Sequence, residues 1–507
     1  MKHYLLIDDI VLGQEDPQRV ARRNPRRPWL MCPPLMTCVS AIMPHVAPTT
    51  SRAMAVAGRS PADRVSLIGL MLVWGAFVLA VYCPDIGRGF VKDDFTWIRA
   101  ARVGIEKPSD LVIPRQSGFY RPLVTTSFAL DHLVHRWQPR GYGWTNLALY
   151  AACAVAIACL GMTLGLSTWA AIVAAFIWAI NPHGINMALV WLSGRTALLL
   201  TLFSVSASVA FLRRYYGCAS VLVAGALASK EEAVLLPIVL LAWAWSEGDR
   251  RNRLAPFTTV LVPLLLYAAV RSLTPAITPW TAPSYYQFTT APTHVLRNLG
   301  EYIDRSTTIV AVCVLIGCGV YRVIPAVDES TRRVLTMCSI WWVGMFAITM
   351  WLPVRSSLYA VCPSVASALA GAAMLGRMRS QARERQDWKL ELVLAMALVA
   401  AIPIYRIRNH RWVEGARISQ RTLATIRADA PGLPAAGSIL LHDEADNGST
   451  FRSAFGDLAS EAVQTAFGRA WTARIETATD TGRDRHEVIA DYRLQHGRIA
   501  RVVGRDR

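Results

Sequence analysis

The stretch Phe90-Val91-Lys92-Asp93-Asp94-Phe95 sets two adjacent carboxylates between aromatic side chains. Such a pair suits removal of a proton from a hydroxyl, one carboxylate as general base and the other tuning its charge. One of them is also a potential metal ligand, and the plainer alternative is a solvated pair in a loop. Phe119-Tyr120-Arg121-Pro122-Leu123 follows, where Arg121, next to Tyr120, can fork onto a phosphate or carboxylate or anchor an interfacial helix. Three further clusters carry the remaining candidates. Asn181 to Asn186 holds His183 and leads to Trp191-Leu192-Ser193-Gly194-Arg195. Ser229-Lys230-Glu231 interrupts an apolar run. Leu352 to Tyr359 contains Arg355.

These clusters need elements to hold them, and the composition says which kind. The chain has 507 residues, 53% hydrophobic and 17% charged, with a mean hydropathy of +0.31. Its apolar residues come in long blocks at 65–83, 143–160, 168–180, 187–212, 255–270, 334–352 and 389–405. A bilayer core about 30 Å thick demands runs of roughly 18 or more apolar residues. Only helices or closed barrels satisfy their backbone there, and barrel strands would alternate polar with apolar residues. The expected fold is therefore mainly α, a polytopic α-helical membrane protein. The net charge of +18 does not point to nucleic acid, because the basic residues lie between apolar blocks rather than on one stripe. The ten cysteines show no metal spacing and no disulfide framework.

With the Arg-rich N-terminus inside, the basic loops alternate consistently and predict about eleven crossings. The basic, proline-broken segment 1–61 reads as a disordered cytoplasmic tail, with Met54 an alternative start. The segment 62–405 reads as the transmembrane domain, with a long outer loop at 84–142. The run 218–246 is too short for two full spans at about 1.5 Å per residue. Charges in one lipid-facing helix are costly, so a hairpin breaking at Lys230 is expected. Beyond the last span, 406–507 reads as a small α/β domain on the outer, periplasmic side. Its helices are expected at 410–428 and 451–467, a strand at 437–442, and a hairpin turning at His496-Gly497.

All five clusters map to the outer ends of helices or the loops just beyond. Arg195, Lys230 and Arg355 set cations at or below that interface, where an unpaired charge is costly and is by default a functional hypothesis. A lipid-linked phosphate arriving from the bilayer fits them. The alternative is structural pairing with Glu231, Glu232 or Asp93.

The ordered series KDDF (92–95), FYRPLVTTSFALDH (119–132), GYGWTN (141–146), Trp-Leu-Ser-Gly-Arg (191–195), Ser-Lys-Glu (229–231), Arg-Ser-Ser-Leu-Tyr (355–359) and Asn-His-Arg-Trp (409–412) resembles the multispanning GT-C glycosyltransferases. The nearest likeness is to protein O-mannosyltransferases and transmembrane tetratricopeptide mannosyltransferases. It covers about 85–425. The family turn His-Pro-x-His-x-Glu reads Asn181-Pro182-His183-Gly184-Ile185-Asn186 here, without its second His and its Glu, and the repeat domain is replaced by the α/β segment. The resemblance implies inverting transfer of a sugar from a polyprenyl phosphate to a periplasmic acceptor, at a bacterial inner membrane. Asp93 is then the base and Asp94 its neighbour. Arg195, Lys230 and Arg355 would hold the donor phosphate. Arg121, Tyr120, His183, Glu231 and Tyr359 are substrate-binding or structural. No metal or other cofactor is implied. Two other readings stand beside it, a transporter or flippase of an anionic lipid or solute and an inactive envelope scaffold.

Overall fold

The computed structural model describes residues 61–115, 118–246, 254–278, 280–382, 388–443, 450–476, 488–495 and 498–502. The basic tail, apart from its last residue, and Met54 lie outside them, as does the expected turn at His496-Gly497.

The described chain is mainly helical. After α1 (Pro61–Val81), a long loop carries three helices, α2 (Asp94–Glu106), α3 (Ser109–Val112) and α4 (Pro122–His135). The bundle continues with α5 (Pro139–Thr163), α6 (Thr168–Ala179), α7 (Gly184–Val190), α8 (Arg195–Leu212), α9 (Tyr216–Leu227) and α10 (Leu236–Ser246). It closes with α11 (Leu254–Ser272), α12 (Pro292–Tyr321), α13 (Glu329–Phe346), α14 (Ser364–Gln381) and α15 (Lys389–Asp429). Local chemistry explains several starts. Pro122, Pro139 and Pro292 occupy first helical positions, where a missing N–H costs nothing. Ser167 and Asp328 cap α6 and α13 by accepting from Ala170 N–H and Thr331 N–H.

Among the described residues, six helices are long and apolar enough to cross a membrane, or up to seven if the bent pair α6–α7 is one span. The remaining expected spans form shorter or more charged helices, among them α9 with 12 residues and α10 with 11. Leu72, Val155, Leu265, Leu315 and Val399 are exposed on the bundle surface, as lipid-facing residues must be. Inside, α5 packs on α6 and α8, α8 on α9, α6 on α14, and α14 on α12 and α13.

Three expectations change, the first at 451–467, where Gly456 with φ 55° ends one helix at Phe455 and a second begins at Ala459. The block 187–212 is not one helix, because a tight turn at Leu192–Gly194 separates α7 from α8. The last span does not stop at 405: α15 runs unbroken for 41 residues, with Pro403 inside it. At about 1.5 Å per residue that is roughly 60 Å, twice a bilayer core. The expected break near Lys230 is present, between α9 and α10.

The far half of α15 leads into β1 (Ala436–His442), α16 (Phe451–Phe455), α17 (Ala459–Phe467), β2 (Ala470–Glu476), β3 (Val488–Gln495) and β4 (Arg498–Arg501). The sheet order is β2-β1-β3-β4, with β1 parallel to β2 and β3, and β4 antiparallel to β3. This sheet shares one apolar core with the long loop. Phe90, Phe95, Ile98 and Phe128 from the loop lie with Ile418, Phe455, Trp471 and Tyr492. The loop helices and the C-terminal segment thus stabilise each other by burying the same surface.

Candidate active site at the loop end of the helix bundle

Loop connections bring the sequence clusters together. Lys92 N–H donates to Ala454 O, tying the start of α2 to α16. Leu123 N–H donates to Ala228 O, tying α4 to the break after α9. Ile277 N–H reaches Gly118 O, and Val354 N–H reaches Tyr285 O. The segment 272–291 therefore bridges from the first loop to the 352–357 turn. Tyr286 meets Phe119 edge-on at 5.2 Å between ring centroids.

Asp93 and Asp94 diverge at the first turn of α2. Lys92 enters that turn with φ 48°, a left-handed backbone unusual for a side-chain-bearing residue. Asp94 points inward and is fully buried. Its Oδ1 accepts from Ser193 N–H at 2.8 Å and Ser193 Oγ–H at 2.5 Å, and its Oδ2 accepts from Val91 N–H at 2.9 Å. Burial pushes its pKa up to about 7, against the lowering effect of those hydrogen bonds. The carboxylate is thereby the pin that joins α2 to the Trp191–Arg195 turn.

Asp93 is the opposite case. Its carboxyl is exposed, and among the described residues it makes no side-chain hydrogen bond and no ion pair. Its pKa is raised, desolvation by the surrounding protein being the largest cause. Arg121 and Lys92 pull it down, and Glu461 pushes it up. Tyr285 and Tyr286 both feel its charge.

Arg121 is held by Glu231. Its Nε lies 3.0 Å from Oε2 and its Nη2 2.8 Å from the same oxygen, and the guanidinium lies 4.2 Å over the Phe119 ring. Lys230 is buried, 2.6 Å from Glu232 and 4.6 Å over the Tyr359 ring. Tyr359 interacts electrostatically with Tyr286, Glu232, Tyr302 and Arg121, which links the Arg121 and Lys230 groups. Beyond Tyr302 lies a cationic cluster. Glu301 meets Arg297 at 3.1 Å, Arg305 at 3.0 Å and Arg355 at 3.1 Å, so three cations share one carboxylate.

Arg195 lies elsewhere, fully buried. Nε donates to Asn146 Oδ1 at 2.9 Å; Nη1 donates to Ser127 O at 3.2 Å and, more weakly, to Ser127 Oγ at 3.4 Å. Nη2 donates to Asp131 Oδ2 at 2.5 Å and to Tyr142 O at 3.0 Å. A guanidinium has five N–H donors, and these partners account for all of them. That leaves none for a phosphate. Tyr120 is buried against Tyr267, 5.6 Å between centroids. His183 starts α7, its backbone N–H donating to Asn181 Oδ1, and its ring stands 3.5 Å from Arg408.

Several of these residues were not singled out from sequence. Asp131, Asn146 and Ser193 act only as partners of residues far along the chain. Arg297, Glu301 and Arg305 did carry a signal, because their spacing of four sets all three on one helix face.

No protein-family model matches the chain, and no curated protein matches it. Among solved structures the chain is similar to the archaeal oligosaccharyltransferase AglB from Archaeoglobus fulgidus, in complex with an inhibitory peptide and a dolichol-phosphate. The likeness has 11% sequence identity and a TM-score of 0.45, over 82% of this chain. The chain spans 65% of that protein's length.

Proposed function

We propose that this chain is a membrane glycosyltransferase of GT-C type, moving a sugar from a polyprenyl phosphate to an acceptor hydroxyl with inversion. The observation that carries this reading is the contrast between the two aspartates. Asp94 is spent on hydrogen bonds, whereas Asp93 is open, unpaired and raised in pKa beside Arg121. In the reaction the acceptor O–H proton passes to the Asp93 carboxylate as the oxygen bonds to the sugar's anomeric carbon. The bond from that carbon to the phosphate oxygen breaks, and its electron pair leaves with the polyprenyl phosphate.

Cations stabilise the charge that develops on the leaving phosphate. Arg355, with Arg297 and Arg305 around Glu301, and Lys230 supply them in this reading. Arg121 orders the loop through Glu231 and sets the charge around Asp93. Arg195 is assigned to positioning rather than to phosphate. The shorter helices complete about eleven crossings in this reading, with the site and the C-terminal sheet on the periplasmic face of a bacterial inner membrane. The arginine-rich loops between spans support that orientation.

The test compares envelope glycoconjugates of a deletion strain complemented with wild type, Asp93→Asn or Asp94→Asn, at matched membrane levels. Asp93→Asn is expected to fold normally and lose transfer by about 10²-fold or more. Asp94→Asn is expected to lose folded protein, because an amide N–H then faces backbone and hydroxyl donors. Full complementation by Asp93→Asn would remove the base and with it this reading.

A further inference from the structure

A second polar site lies away from Asp93, on the other side of the loop helices. Between α2, the end of α4 and the α17–β2 turn is a cavity of about 330 Å³, lined by Arg102, His132, Arg136, Trp137, Phe467 and Gly468. Arg102 stands nine residues along α2 from Asp93, roughly 13 Å at helical rise.

No acidic residue lines this cavity. Two carboxylates on the surrounding helices are engaged, Asp131 with Arg195 and Glu461 with Arg99, while Glu106, one turn along α2 from Arg102, is exposed and outside the lining. Arg102 gives one N–H to Thr465 O at 2.7 Å and keeps the rest of its fork for a ligand. Arg136 makes no side-chain hydrogen bond or ion pair among the described residues. Arg427 adds a third cation near the rim, 5.7 Å over the Phe467 ring.

The backbone is arranged to set Arg136 there. It follows α4 with φ 53° and ψ −119°, at a helix end where glycine is the usual residue. Its N–H donates to His132 O at 3.0 Å, and its carbonyl accepts Tyr142 O–H at 2.9 Å. Since Tyr142 spends its proton on Arg136, the contact of 3.1 Å between Tyr142 Oη and His132 Nδ1 needs the proton on Nδ1. Nε2 of a neutral His132 is then an acceptor.

The other face of α4 says where the ligand comes from. Leu130, Leu133 and Val134 are 61%, 51% and 73% exposed, an i, i+3, i+4 stripe left uncovered by the described residues. In a chain that crosses a bilayer such a stripe dips into lipid, and the basic end of α4 then lies at headgroup level. Trp137, with an apolar ring and a polar N–H, suits the same depth.

We propose that this cavity binds the phosphate of an anionic phospholipid headgroup. Arg102 and Arg136 grip the phosphate, and the α4 stripe lies along the acyl chains. The site is independent of sugar transfer and rests only on the chain lying in a membrane.

The test uses the full-length protein purified in a neutral detergent, with native mass spectrometry counting bound lipid. Short-chain phosphatidylglycerol is the probe, with phosphatidylcholine and inorganic phosphate as competitors. Arg102→Gln and Arg136→Gly are each expected to weaken phosphatidylglycerol binding about tenfold, the loss of one charge-assisted grip. Arg136→Gly is the decisive variant, since glycine suits that backbone and the lipid-free protein should unfold at the same temperature or higher. Binding unchanged in Arg136→Gly, or phosphatidylcholine bound equally well, would overturn the proposal. Full displacement by inorganic phosphate at equal concentration would overturn the lipid assignment in favour of a free-anion site.

Discussion

Replacing Arg195 separates the role that the motif series implies from the role that its contacts describe. Arg195→Met removes five N–H donors from a fully buried site and strands Asp131, which is 7% exposed. Asp131 would keep only the Thr145 Oγ1 hydrogen bond at 2.7 Å. Breaking a buried ion pair from one side costs about 3–5 kcal/mol, because a charge is left without its partner. The second perturbation, Asp131→Leu in the same chain, removes that stranded charge. The double variant should recover most of the loss, since an apolar pair of similar volume often equals a buried ion pair in stability. The assay is thermal unfolding of the purified protein in detergent for wild type, both single variants and the double variant, with KM for the lipid donor measured alongside. The reasoning predicts a large unfolding shift in each single variant and a strong coupling between them. A normal unfolding temperature in Arg195→Met combined with a raised donor KM would refute it, and would return Arg195 to the phosphate.

The charge on Arg121 lowers the pKa of Asp93, which desolvation by the surrounding protein holds above its ordinary value. In the proposed reaction Asp93 acts ionised, so activity is expected to be lost as pH falls through that pKa. In the double variant Arg121→Gln, Glu231→Gln, which leaves no stranded carboxylate, the acid limb of kcat/KM should move up by about one pH unit; an unmoved limb would argue against Arg121 acting on Asp93. A Cβ on Gly194 would lie 2.5 Å from Ala188 Cα and 2.8 Å from Ala188 O, so Gly194→Ala must displace the turn that carries Ser193. Membrane yield and transfer should fall together, while Gly217→Ala, with open space around it, should change neither.

Much of this architecture is legible in the linear chain because its cause is local. Unbroken apolar blocks such as 143–160 and 255–270 make helices wherever a bilayer is the solvent, and α5 and α11 follow from them. The charges at 229–232 mark a break for the same reason. Local pattern fails where the chain changes surroundings without changing conformation. Alanine, isoleucine and arginine suit helix on both sides of 405, so α15 continues through a boundary drawn from hydropathy.

The chemistry of the candidate site is divided in the same way. The adjacent aspartates and the Arg-Pro and Ser-Lys-Glu clusters are visible as residues, and their order along the chain carries the family resemblance. Which aspartate is open and which arginine is already spent depends on partners far away. Asp94 is sequestered by Ser193, 99 positions along, and Arg195 by Asp131, 64 positions back. Nothing in the local sequence distinguishes Asp93 from Asp94, because both are equally ionisable in an unfolded chain. Packing decides, by enclosing the Asp94 carboxylate among donors while leaving Asp93 exposed and without a side-chain hydrogen bond among the described residues.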